Sequence, residues 1–310
     1  DSHGGANASD ICGDVTWSHD YDGGGWISGC GGTQYLEVEF TATDECGNSV
    51  STGARFTIED HTVPVIQQPA TDQTVECDGA GNQINLQSWL DSHGGALATD
   101  LCGTVSWSHD YTSLTNDCGA TGSALVTFRA TDACGNYNET TASFTIEDKL
   151  SPAIQQAATD LIVECDGAGN TAEIQNWLDS HGGAFANDQC GSVSWSHNYG
   201  GLTGGCGGTG EAEVTFRATD ECGNYTETTA RIRIEDRTAP EIQQTAIDQT
   251  VECDGAGNTA AYQNWLDSHG GASATDACGT VSWSYVESGI FSDDCGLSGS
   301  IEVVFRATDA

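Results

Sequence analysis

Positive charge is nearly missing from this chain: 8 Lys and Arg stand against 46 Asp and Glu, a formal net charge of −38. A nucleic-acid binder needs a basic stripe to neutralise phosphates, so that class of partner is excluded. None of the 14 cysteines forms a Cys-x-x-Cys pair, which argues against zinc ribbons and thioredoxin-like redox chemistry. No apolar run approaches the roughly 18 residues that cross a bilayer as a helix, and this stretch contains no signal peptide. The HExxH, GxSxG and P-loop motifs are all absent. Carboxylates are plentiful but recur with the repeat, whereas an active site is normally built once. No catalytic residue is assigned, and an enzyme is not expected.

What is present is repetition. Asp1, Asp91, Asp179 and Asp267 each open the words DSHGGA, at spacings of 90, 88 and 88 residues. A period near 88 is too long for a solenoid unit and suits an autonomous small β domain. The expected organisation is a partial repeat at 1–59, complete repeats at 60–147 and 148–235, and a partial repeat at 236–310. The mean hydropathy of −0.34 and the acidity lean towards disorder. Against that, Trp17, Trp107, Trp195 and Trp283 recur in register with alternating apolar runs, as a repeated core requires. So acidic a chain needs cations to relieve its self-repulsion, so cations are expected partners.

Residues 60–147 show one unit in order. Strands are predicted at 64–66 and 73–77, then a turn at 78–82 in which Asn82 caps a helix. Leu86, Trp89 and Leu90 have helical spacing, and Gly94-Gly95 stops the helix with His93 in its last turn. That reading of His3, His93, His181 and His269 is preferred to a metal-ligand one. The run 104–109 alternates as a half-buried strand, with Trp107 as the core tryptophan. Ala124, Val126, Phe128 and Ala130 face one way and Leu125, Thr127, Arg129 and Thr131 the other; 140–146 alternates likewise. The fold class is all-β: tandem Ig-like β-sandwiches of about 88 residues, each with a short helical insertion and two disulfides.

TATDECGNSVSTGARFTIEDHTVPVI at 41–66 resembles the hyalin repeat and related Ig-like modules of large bacterial surface proteins. The likeness is carried by Asp-x-Cys-Gly-Asn, a strand, and an acidic linker ending in Pro. Such arrays are typical of secreted adhesins and filaments exported by a type 9 system. The helical WLDSHGG insertion departs from the simplest hyalin repeat.

Four cysteines per unit allow three connectivities. In the assumed topology the loops carrying Cys102 and Cys134 share one end, and Cys77 and Cys118 share the other. The expected bonds are Cys77–Cys118, Cys102–Cys134, Cys165–Cys206, Cys190–Cys222, Cys12–Cys46 and Cys253–Cys295, leaving Cys30 and Cys278 over. The compartment is oxidising and extracellular.

The same topology gathers oxygen ligands where linkers meet domains. Glu59, Asp60, Asp100, Asp132 and Asn136 form the first set, and Glu147, Asp148, Asp188, Asp220 and Asn224 the second. Glu235, Asp236, Asp276 and Asp309 form the third. Carboxylate and amide oxygens in such numbers suit Ca²⁺, which takes six to eight oxygen ligands. The alternative is that Asp-x-Cys-Gly-Asn is a tight turn whose Asp and Asn bond local backbone. Asp78 is read as a turn residue. The sequons at Asn7, Asn138 and Asn224 are weak signals.

The resulting expectation is a shaft or stalk of an extracellular bacterial adhesin or filament, stiffened by disulfides and inter-domain Ca²⁺. Its partners are neighbouring repeats of the same chain, with lateral self-assembly into a fibre and cell-surface glycans or proteins as further candidates. The alternatives are a glycan- or protein-binding array using the variable loops, which carry Trp26 and Ile290-Phe291, and the stalk of a secreted hydrolase.

Overall fold

A computed structural model describes residues 2–205, 207–289 and 298–309. The chain divides into two compact units, Asp1–Lys149 and Leu150–Ala310. In the first unit, strands β1 (Val15–His19), β2 (Ile27–Ser28), β3 (Gln34–Asp44) and β4 (Ser49–Ile58) form one sheet in which β3 pairs antiparallel with the other three.

The second repeat adds β5 (Val65–Gln68), β6 (Gln73–Glu76), helix α1 (Gln83–Asp91), β7 (Leu97–Thr99), β8 (Ser106–His109), β9 (Gly122–Thr131) and β10 (Tyr137–Glu147). Its larger sheet runs β6-β10-β9-β8, with β6 and β10 parallel and the other pairs antiparallel. A second sheet is only β5 paired with β7. These six strands and one helix make the Ig-like sandwich.

The second unit repeats the plan with β11 (Ala153–Gln156), β12 (Leu161–Glu164), α2 (Thr171–Asp179), β13 (Phe185–Asn187), β14 (Ser194–His197), β15 (Gly210–Thr219) and β16 (Tyr225–Glu235). After it come β17 (Glu241–Gln244), α3 (Thr259–Asp267), β18 (Ser273–Thr275), β19 (Ser282–Ser288) and β20 (Glu302–Thr308). The β12-β16-β15-β14 sheet has the strand order and sense of its counterpart in the first unit.

The core follows from the alternation along β9 and β10. Val126, Phe128, Ala130, Phe144 and Ile146 are buried, while Leu125 and Arg129 point to solvent. Helix α1 closes the core with Leu86, Trp89 and Leu90, the three apolar positions of its short stripe. The Trp89 ring meets Phe128 edge-on at 5.2 Å and Phe144 at 5.4 Å, and its Nε1 donates to the Thr71 carbonyl at 3.1 Å. Burying each such side chain contributes roughly 1.5–3 kcal/mol. Trp177 does the same with Phe216 and Thr159 in the second unit.

Two expectations change here. The core tryptophan is Trp89 on the helix, because Trp107 is only half-buried on edge strand β8. Asn82 is not a side-chain cap: it adopts a left-handed conformation (φ 49°), is buried, and its Nδ2 donates to the Glu76 carbonyl at 2.8 Å. It therefore ties the helix start back to β6.

His93 lies just beyond α1 in a 3-10 turn, at φ 56°, and stacks flat on Trp107 with ring centroids 4.9 Å apart. The same stack joins His3 to Trp17, His181 to Trp195 and His269 to Trp283. Gly94 follows at φ 63°, and a Cβ there would come within 3.0 Å of the Ala70 Cβ and 3.2 Å of the Phe128 ring. Only glycine fits that turn.

The scarce cations are deployed in pairs across the β9–β10 hairpin and its counterparts. Arg129 lies 4.1 Å over the Tyr137 ring and pairs with Glu139; Arg217 lies 4.1 Å over Tyr225 and pairs with Glu227. In the first repeat the order is reversed, with Arg55 on β4 over Tyr35 and paired with Glu37 on β3.

Candidate acidic and cystine site

The Asp-x-Cys-Gly-Asn turn joins β9 to β10. Asp132 is buried, and its Oδ1 accepts the backbone N–H groups of Cys134 at 2.8 Å and Asn136 at 2.9 Å. Its Oδ2 accepts Asn136 Nδ2 at 2.8 Å. Burial alone would raise the Asp132 pKa, but these donors outweigh it and hold the carboxyl below its ordinary value. Asp44 with Asn48 and Asp220 with Asn224 build the same turn. Three copies with one hydrogen-bond pattern make the motif a turn first.

Around the turn of the first unit, the Asp60 and Asp100 carboxylates and the Cys102 sulfur lie within 4.8 Å of one another. Asp60 Oδ1 accepts the Thr62 N–H and hydroxyl, and Asp100 Oδ1 accepts the Cys102 N–H at 2.7 Å. The linker is drawn in by Asn136 Nδ2, which donates to the Asp60 carbonyl at 3.1 Å. The Cys102 thiol has its pKa pushed up, by burial first and then by Asp60, Asp100 and Asp132. It stays protonated and is a poor nucleophile.

The second unit gathers Asp236, Asp276 and Cys278 in the same way. Asp236 Oδ1 accepts the Thr238 N–H and Asp276 Oδ1 the Cys278 N–H. Glu59, Glu147 and Glu235 are engaged elsewhere. Glu59 faces His61, and Glu235 is held by Arg233 and Arg237. Glu147 pairs with Lys149, and Asp188 accepts the Cys190 N–H. Asp148 is part-buried in the first unit, and Asp309 is part-buried after β20. Each group thus offers two carboxylates, the Cys102 thiol being protonated and the Cys278 sulfur being held in a disulfide, a set that fits a hard cation only if water supplies most of its ligands.

The disulfides correct the expected pairing. Cys134 is bonded to Cys30 (S–S 2.08 Å, Cα–Cα 5.0 Å), so Cys102–Cys134 does not form and Cys102 is a free thiol. The turn at Asp132 fixes the Cys134 backbone, while the Gly32 N–H donates to the Cys102 carbonyl at 2.6 Å and seats the Cys30 loop over it. Gly31 allows this approach at φ 56°, since a Cβ there would stand 2.3 Å from that carbonyl oxygen. Cys165 is bonded to Cys278, which overturns Cys165–Cys206; Cys206 lies outside the described residues. Cys12 and Cys46 are free and exposed, each tied into its own Asp-centred turn, so Cys12–Cys46 is also overturned. Cys30 and Cys278, expected to be left over, are both bonded. Cys77, Cys118, Cys190 and Cys222 are disulfide-bonded as well. The expected Cys253–Cys295 bond involves Cys295, outside the described residues, as are Ile290 and Phe291. Trp26 meets Phe56 edge-on at 6.1 Å and so packs on the sheet.

Sequence reading missed Cys30 as a partner and missed the linker threonines Thr62 and Thr238. In a periodic chain every pairing rule recurs at constant spacing, so spacing alone could not choose among them.

No family model matches the chain, and no curated protein matches it by sequence. Among solved structures, it is similar to the protocadherin gamma B4 extracellular domain (12% identity, 68% of this chain, TM-score 0.25) and to protocadherin gamma B2 extracellular cadherin domains 1–5 (9%, 95%, 0.29). It is also similar to Drosophila N-cadherin EC1–4, at 10% identity over 99% of this chain and 86% of that one, TM-score 0.23. The chain spans 39% of the length of the first of these and 65% of the second. Such low scores carry no argument about what it does.

Proposed function

We propose that this chain is a structural repeat region, the shaft or stalk of an extracellular adhesin or filament of a bacterial surface. Its domains are the repeats at 60–147 and 148–235, with partial repeats at 1–59 and 236–310. The observation that carries the reading is covalent: disulfides tie one sequence repeat to the next inside each unit, at Cys30–Cys134 and Cys165–Cys278. Such bonds persist outside the reducing cytoplasm, which supports an extracellular location. Their use is to keep modules together under load. A binding array would instead need a recognition surface repeated in each module, and the variable loops differ in every copy.

Ca²⁺ is the proposed ion of the acidic groups, with Asp60 and Asp100 or Asp236 and Asp276 as its protein ligands and water completing the shell. Single-molecule stretching of the full chain tests the structural reading. Reductant is expected to lengthen the extension released per unfolding event, because the bonded segments are freed; an extension unchanged by reductant counts against it. A glycan array probed with the same chain tests the alternative, and selective binding there would favour the recognition reading.

A further inference from the structure

Three cysteines of the first unit meet on three loops. Cys30 lies between β2 and β3, Cys102 between β7 and β8, and Cys134 in the turn between β9 and β10. Cys30 is bonded to Cys134, and Cys102 is a free, half-buried thiol. The three backbones are interleaved. The Gly32 N–H donates to the Cys102 carbonyl at 2.6 Å, and a Cβ on Gly31 would stand 2.3 Å from that oxygen. A Cβ on Gly103 would lie 3.3 Å from the Gly31 Cα and 3.6 Å from the Ala133 Cβ. Gly31, Gly103 and Ala133 each adjoin one of the cysteines in sequence, so the segment that holds the thiol is wedged between the two that hold the disulfide. Asp100 and Asp132 fix two of the three by accepting the Cys102 and Cys134 N–H groups.

The second unit, taken by itself, shows that the Cys102 position can carry a bond to the preceding repeat. Its counterpart there is Cys278, set in the same words, Asp-x-Cys-Gly-Thr-Val-Ser-Trp. Cys278 is bonded to Cys165, and the Gly208 N–H donates to the Cys278 carbonyl at 3.0 Å, as Gly32 does to Cys102. One junction therefore seats its tether in the β9–β10 turn, and the other seats it at the counterpart of Cys102.

We propose that the tether between the first two repeats is movable, with Cys102 as its second seat: Cys102 bonds to Cys30 as Cys134 leaves. The Cys102 thiol, protonated at rest, gives its proton to solvent, and its sulfur attacks the Cys30 sulfur. The Cys30–Cys102 bond forms while Cys30–Cys134 breaks, and the departing Cys134 thiolate takes up a proton. One thiol and one disulfide stand on each side, so neither oxidant nor reductant is consumed. Attack falls on Cys30 because its loop is the one held against the Cys102 backbone. The link passes from the β9–β10 turn to the β7–β8 loop, and the repeats stay joined throughout.

The test uses the full chain secreted through an oxidising compartment and held in mildly alkaline buffer without added redox reagents. Samples taken over time are capped at free thiols and digested with pepsin in acid, where thiolate exchange is suppressed. Mass spectrometry without reductant is expected to find two species in the equilibrated chain: Cys30 linked to Cys134 with Cys102 capped, and Cys30 linked to Cys102 with Cys134 capped. The proportion is expected to be the same at high and low protein concentration, as for exchange inside one chain. In the Cys102→Ser variant, capping of Cys134 is expected to be lost. Only one of the two species at equilibrium would overturn the proposal. So would peptides carrying Cys102 with Cys134 beside a capped Cys30, because the tether would then open instead of moving. Capping of Cys134 that persists in Cys102→Ser, or that rises with protein concentration, would assign the exchange to another thiol and overturn it as well.

Discussion

The His93 ring lies flat on Trp107, with centroids 4.9 Å apart and planes 12° from parallel. Burial pulls the His93 pKa below its ordinary value, and the nearby His109 lowers it further. His181, stacked on Trp195, is lowered first by burial as well. The unfolded chain takes up protons near pH 6.5 while the folded stack still resists them. Stability from these two groups is therefore fully present above about pH 6.5 and is lost as pH falls from there through the folded-state pKa values. Melting temperature between pH 7.5 and 5.5 is expected to drop more steeply for the parent chain than for the His93→Gln/His181→Gln variant; parallel curves would contradict this.

The two tryptophans of the second repeat are expected to differ in cost. Trp89→Ala removes a buried ring between Phe128 and Phe144 and should destabilise by roughly 3–5 kcal/mol. Trp107→Ala on the edge strand should cost clearly less. Denaturant unfolding followed by circular dichroism reads both, and an inverted order would place the core on the sheet rather than under the helix.

Asp132→Ala strips two backbone N–H groups and one amide of their acceptor in a buried turn. It is expected to lower the melting temperature at pH 7 by several degrees. Because the Asp132 carboxyl is held below its ordinary value, its contribution is complete above about pH 4 and disappears as pH falls through the folded-state value. The gap between variant and parent should close in acid.

Removing Cys30–Cys134 as a pair of serines opens a loop of 104 residues. The loop-entropy model puts the loss at about 4–5 kcal/mol. Cys102→Ser leaves that bond intact and is expected to change stability little. Gly31→Ala, with its Cβ driven against the Cys102 carbonyl, should hinder formation of the bond, read as more cappable thiol after secretion.

Calcium added to a chelated sample is expected to raise the melting temperature, with Asp60→Asn/Asp100→Asn blunting the response and magnesium reproducing less of it. Equal responses to both ions would mean general screening of a −38 chain, not a site.

Local chemistry made much of this fold readable in advance. The stripe of Leu86, Trp89 and Leu90 marked α1, and the alternation from Ala124 to Ala130 marked the buried face of β9. Misreadings arose where two answers share one pattern. Trp107 alternates as well as any core residue, and only the helix packing onto Phe128 shows that Trp89 holds the centre. The acidic words at Asp60, Asp100 and Asp132 were equally good as ligands or as turn acceptors. Geometry assigns Asp132 to the turn and leaves Asp60 and Asp100 facing each other. The cysteine partners were hidden because Cys30 and Cys134 belong to different copies of the repeat.

Seven of the eight basic side chains sit in ion pairs, three of them pressed over tyrosine rings. Committing them internally leaves an outer skin that is anionic almost everywhere. Two such skins laid side by side push apart unless counterions collect between them. If such chains are brought side by side, their association should therefore track the hardness of the surrounding water, loosening in dilute brine and tightening where divalent salts are abundant.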